Sequence, residues 1–249
     1  MGEQVLVSIV TPCLNSEKTI RKTIESVLNQ TYKNIEYWIM DGGSTDGTLA
    51  IVKEYEQDGR LHLVSEKDAG IYDAMNKGIG RATGQIVGII NSDDWYEPDA
   101  VALVAAHYDP NKLTFQYGML NEYAGKKCYM TWISYHNNVD KKTLPHPTCF
   151  VDRRIYEKYG MFDSSYTICA DREFMMRCVR KDDVVFMPHQ KVLANFLDGG
   201  MSTSSKASKR LMLDIWRMKH QYGLISDSYY QKKVLSTKVY YALKSIRER

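Results

Sequence analysis

The chain has 249 residues, room for one large domain or two small ones, and its 44% apolar and 25% charged residues are those of an ordinary globular protein. No apolar run approaches the roughly 20 residues that span a bilayer; no secretory signal pattern opens the chain; and Cys13, Cys128, Cys149, Cys169 and Cys178 form no C-x-x-C pair, so the cytoplasm is the expected compartment and neither a zinc site nor a disulfide framework is expected. The net charge of +3 conceals an asymmetry, with 11 Lys and Arg against 3 Asp and Glu from Lys206 onward and 22 against 27 before it, a basic tail that suggests an anionic partner.

The first hundred residues alternate strand and helix. A strand at Val7–Val10 runs towards Asn15 and Glu17, and Ser16 is placed to cap a helix whose buried face is Ile20, Ile24, Val27 and Leu28. A strand at 35–40 stops on Asp41 and the turn Gly42-Gly43-Ser44-Thr45-Asp46-Gly47, followed by a helix carrying Leu49, Ile51, Val52 and Tyr55. A third strand, 61–64, stops on Glu66 and Asp68. Ala69-Gly70 then opens a helix with Ile71, Met75 and Ile79 on one side. A fourth, 86–90, stops on Asn91-Ser92-Asp93-Asp94, and Glu97-Pro98 begins another helix. Such alternation builds a parallel sheet with helices on both faces. Beyond about residue 110 the pattern is mixed. It gives strands over 113–120, 128–135, 184–187 and 191–196, a helix over 173–180, and helices over 206–220 and 229–246.

The four acidic or amide clusters all fall at strand ends. In a parallel sheet these share one edge, the edge at which open α/β sheets bind ligands. So many carboxylates repel an anion, and a phosphorylated ligand can sit there only with a divalent cation between. A nucleoside diphosphate and a metal are the expected ligands. Asn91-Ser92-Asp93-Asp94 is the strongest cluster, although an Asx turn and helix cap would use the same residues. Asp41 could accept a hydrogen bond from a base N–H, with its glycines allowing close approach, while Asp46 reads as an ordinary cap. Cys13 reads as a small buried thiol, and His146 and His189 as structural or solvated rather than as ligands. Gly199-Gly200-Met201-Ser202 is either a loop over the diphosphate or a surface turn. Gly78 to Gly84 lacks the spacing and context of a dinucleotide loop, and no G-x-x-x-x-G-K-[ST] loop is present. No nucleic-acid partner is expected.

The chain resembles the inverting family 2 glycosyltransferases of the GT-A fold. The resemblance covers roughly residues 5 to 203. It rests on Val7-Ser8-Ile9-Val10-Thr11-Pro12 with Asn15 and Glu17, on 41–48, on 65–78, on 91–94, and on His146-Pro147, Gly160-Met161-Phe162-Asp163 and Ala170-Asp171-Arg172-Glu173 with Arg177. It implies a mostly parallel central sheet flanked by helices. A GT-A domain would span 1–205, with a nucleotide-binding half (1–110) and an acceptor-binding half (111–205), followed by a basic helical extension (206–249). It implies that Thr11, Pro12, Asn15, Glu17, Asp41, Asp68, Asn91, Ser92 and Asp93 bind the donor. Asn91 and Asp93 match the two acidic positions of the family's D-x-D motif. The amide at Asn91 leaves the Mn²⁺ or Mg²⁺ on Asp93 alone. Asp171 matches the catalytic base.

The implied reaction moves a sugar from a nucleoside diphosphate, UDP favoured, to a hydroxyl of a glycan or lipid-linked acceptor, as in cell-surface polysaccharide synthesis. Alternatives are a sugar-nucleotide nucleotidyltransferase and an inactive nucleotide-sugar-binding module. The tail helix with Leu211, Ile215 and Met218 either lies on an anionic membrane, which would make the protein peripheral on its inner face, or packs on the catalytic domain.

Overall fold

The computed structural model describes residues 4–199 and 205–247; Gly200, Met201 and Ser202 of the expected loop, and the Lys206 side chain, lie outside the described residues. Strand β1 (Val7–Cys13) is buried along its whole length, as an apolar strand covered on both faces must be. It leads through α1 (Ile20–Leu28) to β2 (Ile35–Asp41), α2 (Thr48–Lys53), β3 (Leu61–Ser65), α3 (Ile71–Arg81) and β4 (Ile86–Ile89). All three pairings here are parallel, in the order β3-β2-β1-β4. The chain steps outward from β1 to β3 and then returns to the other side of β1. The crevice at the carboxyl ends of β1 and β4 is therefore the switch point of the sheet.

The second half extends this same sheet by antiparallel joins. Its elements are β5 (Trp95–Tyr96), α4 (Ala100–Ala106), β6 (Leu113–Ala124), β7 (Lys127–Trp132), β8 (Phe150–Asp152), α5 (Arg153–Tyr159), α6 (Ala170–Cys178) and β9 (Val184–Leu197). β8 lies antiparallel between β4 and β6, β9 runs parallel to β6, and β5 closes the path against β9. The sheet is therefore mixed rather than parallel throughout. Alternate strand residues feed two cores. Val7, Ile9, Tyr37 and Ile39 face α1, α2 and α4. Val10, Met40, Val87 and Ile89 face α3, α5 and α6.

Several local expectations change. Ser16 does not cap α1: Thr19 precedes the helix, and the Ser16 hydroxyl pairs instead with Ser92 Oγ at 2.8 Å. α2 stops at Lys53, short of Tyr55, and α4 starts at Ala100, after Pro98. The two short strands expected over 184–196 are one strand, its register against β6 shifting between Tyr117 and Leu120.

The C-terminal helices are α7 (Ser205–Gln221) and α8 (Asp227–Arg247). Met218 is fully buried, and Leu211 and Ile215 pack against the α3/α5/α6 core. Asp214 Oδ2 accepts from the Thr167 and Ile168 amides at 2.8 and 3.0 Å, and Arg217 donates to Ser165. The α7 stripe is therefore spent on the α3/α5/α6 core and is not free to enter a membrane, which is the packed alternative of the two the sequence left open for that helix.

α3 crosses β1 at Gly78. A Cβ there would fall inside van der Waals contact of Val10 Cγ1 and 3.1 Å from Met40 Cγ. Gly78→Ala gains about 1 kcal/mol of helix propensity but overpacks the contact, which costs ~1–3 kcal/mol. The expected net result in urea unfolding is a lower midpoint with an unchanged slope. A raised midpoint would show that the helix does not approach the strand this closely.

Candidate active site

A cleft of about 1070 Å³ opens over the carboxyl edge of the sheet. Pro12, Asn15, Glu17, Asp68, Asn91, Ser92, Asp93 and Asp171 line it, bringing together residues from three strand ends (β1, β3 and β4) and from α6. Thr11 and Asp41 do not line it. Thr11 is fully buried, and its hydroxyl pairs with the Tyr37 hydroxyl at 3.0 Å. Asp41 is 2% exposed. Its carboxylate accepts from the amides of Gly43 and Ser44 and from the hydroxyls of Ser44 and Ser65. Its acceptors are already used, so it organises the glycine turn rather than facing a ligand from it. The sequence expectation set both in the donor pocket; in this structure neither faces the cleft.

The loops after β1 and β2 are stitched side by side. Asn15 adopts the left-handed backbone region (φ 51°), which Asn tolerates better than most residues. Its amide donates to Ser44 Oγ, and its side-chain oxygen accepts from Thr45 N, both at 2.8 Å. Glu17 Oε2 accepts from Gly47 N at 2.8 Å. Asp46 accepts from the Thr48 amide and hydroxyl in an Asx turn one residue before the α2 cap position, Gly47, rather than serving as the cap the sequence context suggested. Asp68 accepts from Gly70 N at 2.9 Å and presses against Gly42, whose absent Cβ leaves room for the carboxylate.

At the end of β4 the two aspartates diverge. Asp94 is fully buried and accepts from Leu197 N and Asn91 Nδ2 at 3.1 and 3.2 Å. Burial and the neighbouring Asp93 push its carboxyl well above the usual range. Asp93 lines the cleft, is partly buried, and is also pushed up by desolvation. Asn91 turns its amide nitrogen to Asp94, which leaves Asn91 Oδ1 buried without a hydrogen-bond partner among the described residues. An orphaned buried oxygen beside a desolvated carboxylate is a donor set that suits a hard cation. Among the described residues no three His, Cys, Asp or Glu side chains form a closed metal cage. Mg²⁺ and Mn²⁺ need none when phosphates and water complete the shell. The residues fit a cation held jointly with a diphosphate.

Asp171 enters the cleft from the first turn of α6. The Tyr72 hydroxyl of α3 lies 2.8 Å from Asp171 Oδ1 and 2.6 Å from the Ile168 carbonyl, donating between them. Burial and the Asp171 charge hold Tyr72 protonated, well above the ordinary phenol range. His146 also lines the cleft near Asp171; burial lowers its imidazole, and the Asp171 charge opposes this. His189 lies elsewhere, buried, with Nε2 2.8 Å from Gln116 Oε1. Arg177 pairs with Glu173 and holds the carbonyls of Tyr159, Gly160 and Met161. Sequence reading missed Tyr72 and the cleft residues Lys18 and Asp198. Tyr72 lies within the 65–78 segment, but its period looked like ordinary core spacing. Lone charges on polar loops carry no signal.

A sheet with this switch point, an acidic rim and a carboxylate facing it from α6 defines an α/β transferase of the GT-A fold. Residues 8–166 match the family model described as Glycosyl transferase family 2, and the chain belongs to that family of glycosyltransferases. It is 29% identical over 207 residues, 79% of each chain, to a PGL/p-HBAD biosynthesis glycosyltransferase of Mycobacterium tuberculosis. It superposes on S. aureus TarS with a TM-score of 0.67 at 17% identity, covering 93% of this chain but only 42% of TarS. The 1–349 fragment of TarS, solved with UDP-GlcNAc, gives a TM-score of 0.66 at 16% identity, with 71% of the fragment and 93% of this chain covered. The mannosyltransferase PcManGT of Pyrobaculum calidifontis, solved with GDP-Man and Mn²⁺, gives 0.66 at 18% identity, covering 96% of this chain and 70% of PcManGT.

His146 reports on the Asp171 environment. Its lowered folded value means that only the unfolded chain takes up this proton as pH falls through 6.5. Its contribution to stability is therefore complete above 6.5 and lost as pH falls below it. NMR titration of the imidazole is expected to give a midpoint below 6.5, and Asp171→Asn, which removes the opposing charge, should move it lower. A midpoint that rises in that variant would contradict the geometry.

Proposed function

We propose that this glycosyltransferase is metal-dependent and inverting. It transfers a sugar from a nucleoside diphosphate, a UDP-sugar in the favoured reading, to a hydroxyl of a glycan or lipid-linked acceptor, in cell-surface polysaccharide synthesis. The observation that carries the proposal is one cleft holding Asp93, a desolvated carboxylate with no hydrogen-bond donor from another described residue, together with Asp171, a carboxylate oriented by Tyr72. The ligands of TarS and PcManGT support the donor class.

In this reading Asp68 and the loops joined by Asn15 and Glu17 cradle the nucleoside. Asp93, with Asn91 Oδ1 beside it, would hold the cation, which would supply positive charge against the departing diphosphate. Asp171 accepts the proton of the acceptor hydroxyl as that oxygen attacks the anomeric carbon. The new C–O bond forms on one face while the bond to the diphosphate oxygen breaks on the other. The electron pair leaves with the diphosphate, and a single displacement inverts the centre. The Tyr72 hydrogen bond keeps the Asp171 carboxylate aimed. A nucleotidyltransferase would need a cationic triphosphate loop after β1, where this chain has Thr11-Pro12-Cys13-Leu14-Asn15.

Thermal-shift titration tests the donor side. UDP with Mn²⁺ is expected to raise the melting temperature, by the equivalent of about 2.7 kcal/mol at a hundredfold excess over Kd. Chelator or Asp93→Ala should abolish the rise, and a rise indifferent to both would remove the metal from the site. Turnover tests the base. Asp171→Asn should cut kcat by about 10²–10⁴ while leaving the UDP shift intact. Tyr72→Phe, which loses a hydrogen bond to a charged group, should cost roughly 10-fold or more in kcat with little change in donor KM. Wild-type turnover in Asp171→Asn would assign the base elsewhere.

A further inference from the structure

The catalytic cleft makes no use of α8. One side of this helix lies on α7, where Tyr230 stacks on His220 with ring centroids 4.5 Å apart and Lys233 sits over the Trp216 ring at 5.1 Å. Thr237, on the same side, is buried. Turned away from α7 are Leu235, Val239 and Leu243, spaced i, i+4 and i+8, which are 64%, 49% and 57% exposed. Tyr240 stands beside them at 61%. Lys232 and Lys238, both exposed, lie three residues to either side of Leu235. Over Asp227–Arg247 the helix has five Lys and Arg residues and a single acid, Asp227 at its first position.

A row of large apolar side chains in water is unfavourable unless something covers it. We propose that this face of α8 docks on an anionic lipid surface, with Leu235, Val239 and Leu243 in the headgroup–acyl boundary and the flanking lysines on lipid phosphates. Charge selects this occupant. Pairing two copies through the row would bring Lys232 and Lys238 against cations of the same helix in the partner copy, with Asp227 the single acid of Asp227–Arg247 to offset them. An anionic surface instead gains from every lysine near it. Tyr240, apolar with a polar tip, suits the interfacial depth. Among the described residues no helix is long and apolar enough to cross a membrane, so α8 lies on the surface rather than through it. Of the two basic C-terminal helices, the α7 stripe is packed inside and the α8 stripe faces out.

Vesicle flotation of the full chain tests the proposal without reference to donor or acceptor. The protein should float with vesicles containing phosphatidylglycerol at low salt and stay behind with pure phosphatidylcholine. Lys232→Gln with Lys238→Gln should weaken binding about 30-fold, as each lysine near the surface contributes about 1 kcal/mol, or ~5-fold. Leu235→Asp with Leu243→Asp should abolish binding. Both variants change exposed positions and should keep the wild-type melting temperature, which separates lost docking from lost folding. Absence of flotation, or equal binding to both lipids, would overturn the proposal. So would a wild-type dimer in light scattering that the Leu235/Leu243 variant dissociates, since a second copy would then cover the row.

Discussion

The parallel pairing of β1 with β4 is the constraint on which the site depends. It sets Val10 beside Ile89, so the loops that leave these strands, 76 residues apart in sequence, must share one crevice. Neither loop has much regular structure, and each is fixed by what the other offers. The β2 turn donates amides to Glu17 and Asn15, and Ser16 spans to Ser92. A slip of one residue between β1 and β4 would turn every side chain of β4 to the opposite face. Val87 and Ile89 would then leave the α3 core, so burial on both faces enforces the register that aligns the rim.

The second half of the chain contributes to the site through a few polar links. The Leu197 amide donates to Asp94, tying the end of β9 to the end of β4 and placing Phe196, Leu197 and Asp198 in the cleft wall. Tyr72 links α3 to α6. Asp214 of α7 takes the two amides of Thr167 and Ile168, which also line the cleft, a few residues before Asp171. Tyr222, just past α7, donates to Glu173 two residues after it. A helix that composition alone marked as a basic tail is thus part of the scaffold behind Asp171.

The rim was legible in the sequence because buried parallel strands run apolar on both faces and stop abruptly, so their polar ends stand out. What escaped notice has physical reasons. β5 has two residues and β8 three, too short for any period, and both are held by neighbours distant in sequence. α5 begins Arg153-Arg154, charges that hide its start, and its cap is Asp152, which accepts from the Arg154 amide and pairs with its guanidinium. The division of β9 into two expected strands came from Pro188 and the polar residues beside it, which the register shift absorbs without ending the strand. Exposure on α8 could not be told from burial on α7, because both helices show apolar stripes among lysines and only packing distinguishes them.

The aspartates show where sequence reasoning reaches its limit. Asp41, Asp46, Asp94, Asp93 and Asp171 are one residue type near one edge, yet they do three different things. Asp41 and Asp46 are consumed by turn amides and hydroxyls within a few residues. Asp94 is buried to hold two halves of a sheet together. Asp93 and Asp171 keep carboxylate oxygens available in the cleft. Local amide geometry makes the choice: an Asp that begins a turn finds N–H groups two and three residues on and binds them. Asp93 follows a turn already satisfied by its neighbours and finds only its own amide, with no donor from another described residue. A carboxylate that the fold desolvates and leaves so sparsely hydrogen-bonded has a standing electrostatic deficit, which the proposed cation, arriving with its phosphates, would remove. The same deficit explains why Asn91 can stand where the family has a carboxylate. A second charge beside Asp93 and the buried Asp94 would raise the cost of ionising all three, whereas an amide oxygen adds a ligand without adding charge.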